Sequence, residues 1–125
     1  MKKREQIISN YIKAYNSFNI ADMMTDLDES VKFVNVSNGE INITISGLPA
    51  FKQQAEQASP IFSSRQQTVN SFKHDGDRTE VEITYHAVLA IDLPHGLKKG
   101  NELNLHGKSI FEFEGDKIIA ITDIS

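Results

Sequence analysis

The chain has 125 residues, 39% hydrophobic and 24% charged, with a formal net charge of −4. That is the size and balance of one globular domain, and its acidity disfavours nucleic acid and anionic membranes, which recruit clustered Lys and Arg. With no cysteine, disulfides, thiolate catalysis and Cys-ligated zinc are excluded.

The start, MKKREQIISNYIKAYN, opens on basic residues, but polar residues interrupt its apolar pairs, so no hydrophobic core of a secretory signal follows. No stretch approaches the roughly 20 apolar residues of a membrane span, and a cytoplasmic protein with no membrane partner is expected. Ile7, Ile8, Tyr11, Ile12, Tyr15 and Phe18 recur at helical spacing and predict a helix over residues 2–18. IADMMTDLD predicts a second, short helix over residues 20–28, with Met23, Met24 and Leu27 inward and Asn19 or Asp22 as its cap.

From Val31 the period becomes two. VKFVNV and INITIS flank Asn38-Gly39, a pair suited to a type I′ hairpin turn. GLPAFKQQAEQA predicts a third helix, with Pro49 in its first turn and Ser59-Pro60 closing it. The second half reads as strands alone. QQTVNSFKH and TEVEITYHAVLAID join at Asp75-Gly76-Asp77; after the polar loop LPHGLKKGNE, LNLHGKSIFEFE and DKIIAITDIS join at Glu114-Gly115-Asp116. No repeat or boundary divides residues 1–125, so the chain is read as a single α+β domain. A curved antiparallel sheet of roughly four to six strands is expected to wrap the long first helix, leaving a concavity between them. The other sheet face, with Val34, Val36, Val88 and Ile110, stays open, and a second copy is expected to cover it in a homodimer.

Alternation assigns faces. Val31, Phe33, Asn35 and Ser37 point one way, Lys32, Val34 and Val36 the other. Asn35 thus either lines the concavity or caps a bulge in the hairpin. On the last strand Ile119, Ile121, Asp123 and Ser125 share a face, and Tyr85 faces the interior with Val81, Ile83, Ala87 and Leu89. His74, His86, His95 and His106 form no ladder that would hold a metal, so neither a metal nor a cofactor is expected. His86 and His106 keep outward parity, where either could form an acid–base pair with a carboxylate. Lys98-Lys99 is a solvated loop tip or a lid over the cavity mouth.

Taken in order, YIKAYNSFNIADM, DESVKF, SGLPAFKQ and GKSIFEFEGDKIIAITD resemble the SnoaL-like and ketosteroid isomerase-like proteins of the nuclear transport factor two-like, or cystatin-like, superfamily. The resemblance spans nearly the whole chain and implies a cone-shaped fold with a central cavity. It implies no single activity, because the superfamily includes isomerases, cyclases, dehydratases, epoxide hydrolases and plain binding proteins. Ketosteroid isomerases carry a tyrosine on the first helix, a carboxylate base on the first strand and a protonated acid on a later strand. The matching positions here are Tyr11, Asn35 and Ser109. An amide cannot abstract a proton at neutral pH, and a serine hydroxyl donates more weakly than a carboxylic acid. The isomerase constellation is therefore not expected to operate.

Matching GDKII to the corresponding isomerase run puts Asp123 on the concave face, where desolvation would raise its pKa. The resemblance adds that SnoaL-like cyclases use carboxylates in this cavity for acid chemistry. Solvation or pairing with a lysine is the other reading of Asp123. The expected protein binds a small organic ligand in a largely apolar cavity. Its walls would be Phe33, Phe51, Tyr85, Phe111, Phe113 and Ile121, with Asn35 and Ser109 as polar anchors. If it is an enzyme, Asp123 is the acid or base and Tyr11 its catalytic companion, in an isomerisation, cyclisation or hydration. The alternative is a non-catalytic dimerisation or protein-interaction module whose cavity is filled by its own side chains.

Overall fold

The computed structural model describes residues 2–94 and 96–125. Helix α1 (Lys2–Asn16) buries Ile7, Ile8, Tyr11 and Ile12 of the stripe read from the sequence, and Ala14 beside them. It stops at Asn16 because Phe18 turns into the left-handed region at φ 57°. There Asn19 N bonds Ala14 O at 2.9 Å and Phe18 N bonds Tyr15 O at 3.1 Å, a Schellman closure usually built on glycine. Putting phenylalanine there costs about 1–2 kcal/mol.

Helix α2 (Ile20–Met23) is one turn. Asn19 Oδ1 accepts from Asp22 N at 3.1 Å while its Nδ2 donates to Asp22 Oδ2 at 2.8 Å, so both expected caps take part. The helix does not reach residue 28 as expected, since Leu27 opens strand β1 (Leu27–Ser37), is buried, and pairs with Ile118. Asp28 Oδ2 accepts from Ser30 N at 2.9 Å and Ser30 Oγ at 2.6 Å. These local bonds compete with helix and hold the Asp28 carboxyl below its usual value.

Strand β2 (Glu40–Ser46) completes a hairpin through Asn38 and Gly39, both at positive φ (54° and 79°), as a type I′ turn requires. Helix α3 (Leu48–Ala58) and one 3-10 turn (Ser59–Ile61) lead to β3 (Phe62–Asp75), β4 (Arg78–Leu89), β5 (Glu102–Glu114) and β6 (Lys117–Ile124). The strands form one six-stranded sheet in the order β2-β1-β6-β5-β4-β3. The architecture is α+β, with one correction: β6 lies parallel to β1, so the sheet is mixed rather than antiparallel. Alternation in a strand reports its two faces and not the direction of its neighbour.

Strand β6 also departs from simple alternation. Glu112 pairs with Ala120 but Phe113 with Ile118, so Ile119 is an extra, bulged residue. Ile118 and Ile121 therefore both enter the core, and Ile119 does not share the inner face expected of it. Among the described residues, no helix is long and apolar enough to cross a membrane.

Candidate functional site

Strand register brings three of the sequence candidates into one row. Asn35 on β1 pairs with Asp123 on β6, and Asp123 pairs with Ser109 on β5. The Ser109 hydroxyl donates to Asp123 Oδ1 at 2.6 Å, the length of a charge-assisted bond. Burial pushes the Asp123 carboxyl up to about 6, against the lowering effect of that bond. Asn35 Nδ2 donates to Asn42 Oδ1 at 2.9 Å and to Ser37 Oγ at 3.4 Å. Asn42 is the extra residue where β2 bulges against β1, so Asn35 both ties the bulge and borders the cavity.

Two adjoining cavities meet at this row. The larger, about 280 Å³, lies between α1, α3 and the sheet and is bordered by Tyr11, Phe33, Phe51, Gln54, Phe62 and Arg65 among others. The smaller, about 160 Å³, is bordered by Gln67, Ile83, Tyr85, Leu105 and Ser109. Tyr15, Asn35 and Asp123 border both. The larger volume is near the lower end for ligand sites, the size for a one- or two-ring molecule.

Tyr11 packs edge-on against Phe111, with ring centroids 5.7 Å apart, and tilted against Phe51 at 6.5 Å. Burial, then the Asp123 charge, raises its pKa well above the usual value. The hydroxyl thus stays protonated and able to donate. Tyr15 and Tyr85 join hydroxyl to hydroxyl at 3.0 Å, and burial likewise raises the pKa of each.

Of the expected wall residues, Phe33 and Phe51 border the larger cavity and Tyr85 the smaller. Phe111, Phe113 and Ile121 sit behind the walls at 1%, 2% and 0% exposure, as core rather than lining. Core and wall share the same inward parity, so alternation cannot separate them. Of the two readings of Lys98-Lys99, the solvated loop tip fits, both residues being exposed. Its backbone is tied to Asp92 and Asn101 side chains at 2.8 and 2.9 Å, and none of its described residues borders either cavity.

His74, His86 and His106 border neither of these cavities. His86 pairs with Glu102 at 3.1 Å on the outer face, and His106 lies 3.4 Å from Thr84 there, so neither joins the candidate acid. His74 links α1 to the β3–β4 hairpin, with Nε2 2.6 Å from Glu5 and Nδ1 2.9 Å from Thr79. His95 lies outside the described residues, among which no group of three or more His, Asp or Glu gathers to hold a metal.

Several cavity residues lie outside the expected set, among them Gln54, Phe62, Gln67 and Leu105, and the charged one in the larger cavity is Arg65. Strand β3 begins at Phe62 rather than Gln66, which puts Arg65 opposite the buried Ala87 and on the inward parity of Gln67 and Val69. Arg65 is only 5% exposed. Its Nε donates to Tyr15 O at 2.9 Å, and its guanidinium lies 3.7 Å from the Tyr15 ring centroid and 4.5 Å from that of Phe18. A basic residue at inward parity was the available signal, hidden by starting the strand too late.

A long first helix packed on a six-stranded sheet is the α+β arrangement of this class of domain. The chain belongs to the SnoaL-like domain family, whose model matches residues 8–121. Its fold is similar to a putative polyketide cyclase from Xanthomonas campestris pv. campestris (TM-score 0.82, 19% identity, covering 99% of this chain and 90% of that one). A putative polyketide cyclase from Acidithiobacillus ferrooxidans is similar at TM-score 0.80 and 15% identity, over 98% and 87% of the two chains. A hypothetical protein with a ketosteroid isomerase-like fold from Catenulispora acidiphila, in complex with trimethylamine, is similar at TM-score 0.77 and 14% identity, over 94% and 82% of the two chains. At these identities the likeness extends to the fold alone, and no curated protein matches the sequence.

Proposed function

We propose that the chain binds a small, largely apolar organic molecule in the paired cavities and that Asp123 transfers a proton to or from it. The observation that carries this reading is Asp123 itself: a carboxyl at the junction of both cavities, desolvated to a pKa of about 6 and held by Ser109. Near neutral pH such a group is largely ionised, yet more basic than an ordinary carboxylate, which suits a general base. It would take a proton from a carbon beside a carbonyl, and the neutral Tyr11 hydroxyl would donate to the enolate oxygen that develops. Returning the proton elsewhere isomerises the molecule; attack of the enolate on a second carbonyl cyclises it. The description of two fold neighbours as putative polyketide cyclases agrees with the second outcome.

The test needs no natural substrate. In D2O, 2-tetralone should exchange its α-protons faster with the protein than without it. The rate should rise through pH 6 and level off above it, following ionised Asp123. Asp123→Asn should remove the acceleration while the protein stays folded. Exchange that persists in this variant, or no acceleration by the natural protein, would overturn Asp123 as the base.

A second reading, compatible with the first, concerns the outer sheet face. Val34, Thr122 and Ile110 are successive partners there, and Val36 pairs with Ile124; none of the five is fully covered. A second copy docking on this patch would make a homodimer.

A further inference from the structure

We infer that Arg65 is the anion-receiving group of the larger cavity, and that the ligand is an organic acid whose carboxylate docks on its guanidinium. This rests on the reading of the cavity as a small-molecule site and adds the ligand's charge to it.

A cation buried to 5% exposure is ordinarily paired with an acid, yet no described carboxylate pairs with Arg65. The guanidinium bonds the Tyr15 carbonyl through Nε, and the Tyr15 and Phe18 rings pack against it. Its Nη2 is the only buried side-chain nitrogen or oxygen among the described residues without a hydrogen-bond partner. Leaving such a donor unmet is costly, and Arg65 borders the cavity. Stacked rings leave the guanidinium's N–H edge to make bonds, and that edge matches the paired oxygens of a carboxylate.

The surroundings hold this cation in place. Phe18 reaches it from a left-handed backbone conformation, φ 57°, and strain of that kind persists where neighbouring structure over-determines it. Asp123 forms no ion pair with it; that carboxyl takes the Ser109 hydroxyl at 2.6 Å instead. One cavity thus holds a fixed cation and, separately, an acid able to exchange a proton. Phe33, Phe51, Phe62 and Ile43 give it apolar walls between them. A molecule anchored by an anionic oxygen on Arg65 would present its apolar body to these walls and a reacting carbon to Asp123.

Titration calorimetry of the purified chain at pH 8 with 2-naphthoate and 2-naphthamide, alike in shape and unlike in charge, tests this. The natural protein should bind 2-naphthoate at least about tenfold more tightly, the lower end of what one charge-assisted hydrogen bond contributes. Arg65→Gln keeps an N–H for the Tyr15 carbonyl and should erase that preference. Should the variant fail to fold, ¹⁵N NMR of the natural protein decides, because 2-naphthoate should shift the Arg65 guanidinium signals and 2-naphthamide should not. Equal affinity for the two probes, a preference that survives Arg65→Gln, or unmoved guanidinium signals overturns the inference and leaves the cavity reading standing. Binding of neither probe removes the cavity reading and this inference together.

Discussion

A carboxyl lifted from 3.8 to about 6 makes stability depend on pH in a fixed direction. The folded state keeps a proton that the unfolded chain releases, so this contribution is complete below about pH 4, fades as pH rises to about 6, and is absent above. Asn in its place stays neutral at every pH and can still accept the Ser109 hydroxyl. A tenfold change in proton affinity is worth about 1.4 kcal/mol. Between pH 4 and pH 7, Asp123→Asn should therefore gain roughly 1–3 kcal/mol relative to the natural protein. Chemical denaturation at both pH values measures this, and parallel curves for the two proteins would show that Asp123 is not desolvated. Asn35→Asp puts a second carboxylate directly across from the first. Two such groups ionise one after the other, so carboxyl NMR should find the upper apparent pKa raised by about one unit or more. Neutral ligands should also bind this variant less tightly. A titration unchanged from the natural protein would mean that the side chains of Asn35 and Asp123 do not meet.

The elements that position this row differ in how plainly the sequence announces them. Helix α1 and the type I′ turn follow from local chemistry, an apolar stripe and an Asn-Gly pair, and both form where expected. Helix α2 did not extend to Leu27 because burial in the sheet overrides local helical periodicity, which a sequence pattern cannot weigh. The parallel pairing of β1 with β6, which sets Asn35 beside Asp123, joins residues far apart in the chain and leaves no local mark. Resemblance and parity point to Asn35, Ser109 and Asp123, whereas the inward parity of Arg65 shows only with β3 starting at Phe62. Gly107 shows how tightly the site's edge is built. A β-carbon there would collide with the Ile124 carbonyl, next in sequence to Asp123. The backbone must shift to relieve that clash, at a cost of about 1–3 kcal/mol. Gly107→Ala should lower the unfolding temperature by several degrees and disturb the Ser109–Asp123 bond, visible as a changed Asp123 pKa. Full stability in this variant would show that the end of β6 is free to move.

At the scale of the whole molecule the sheet separates two surfaces of different make-up. Its inner face meets α1 and α3 and holds the cavities; its outer face carries the Val34–Thr122–Ile110 row beside Val36 and Ile124. Val88, expected to belong to the same surface, pairs with Ser64 and Glu102 toward the other edge and lies outside this patch. A stable dimer needs about 800 Å² from each partner, more than these apolar residues supply alone. Polar neighbours such as the Lys108–Glu80 pair, 3.1 Å apart, would form the rim. In a two-fold interface each substitution enters twice, so one charge near the centre has a large effect. Ile110→Lys should turn a dimer into a monomer by sedimentation velocity, with the circular dichroism spectrum unchanged. The 2-tetralone exchange rate per chain should also be unchanged, because the Asn35–Asp123–Ser109 row faces the other way. A natural protein that sediments as a monomer, or an Ile110→Lys variant that remains a dimer, would show that the outer face is not the interface.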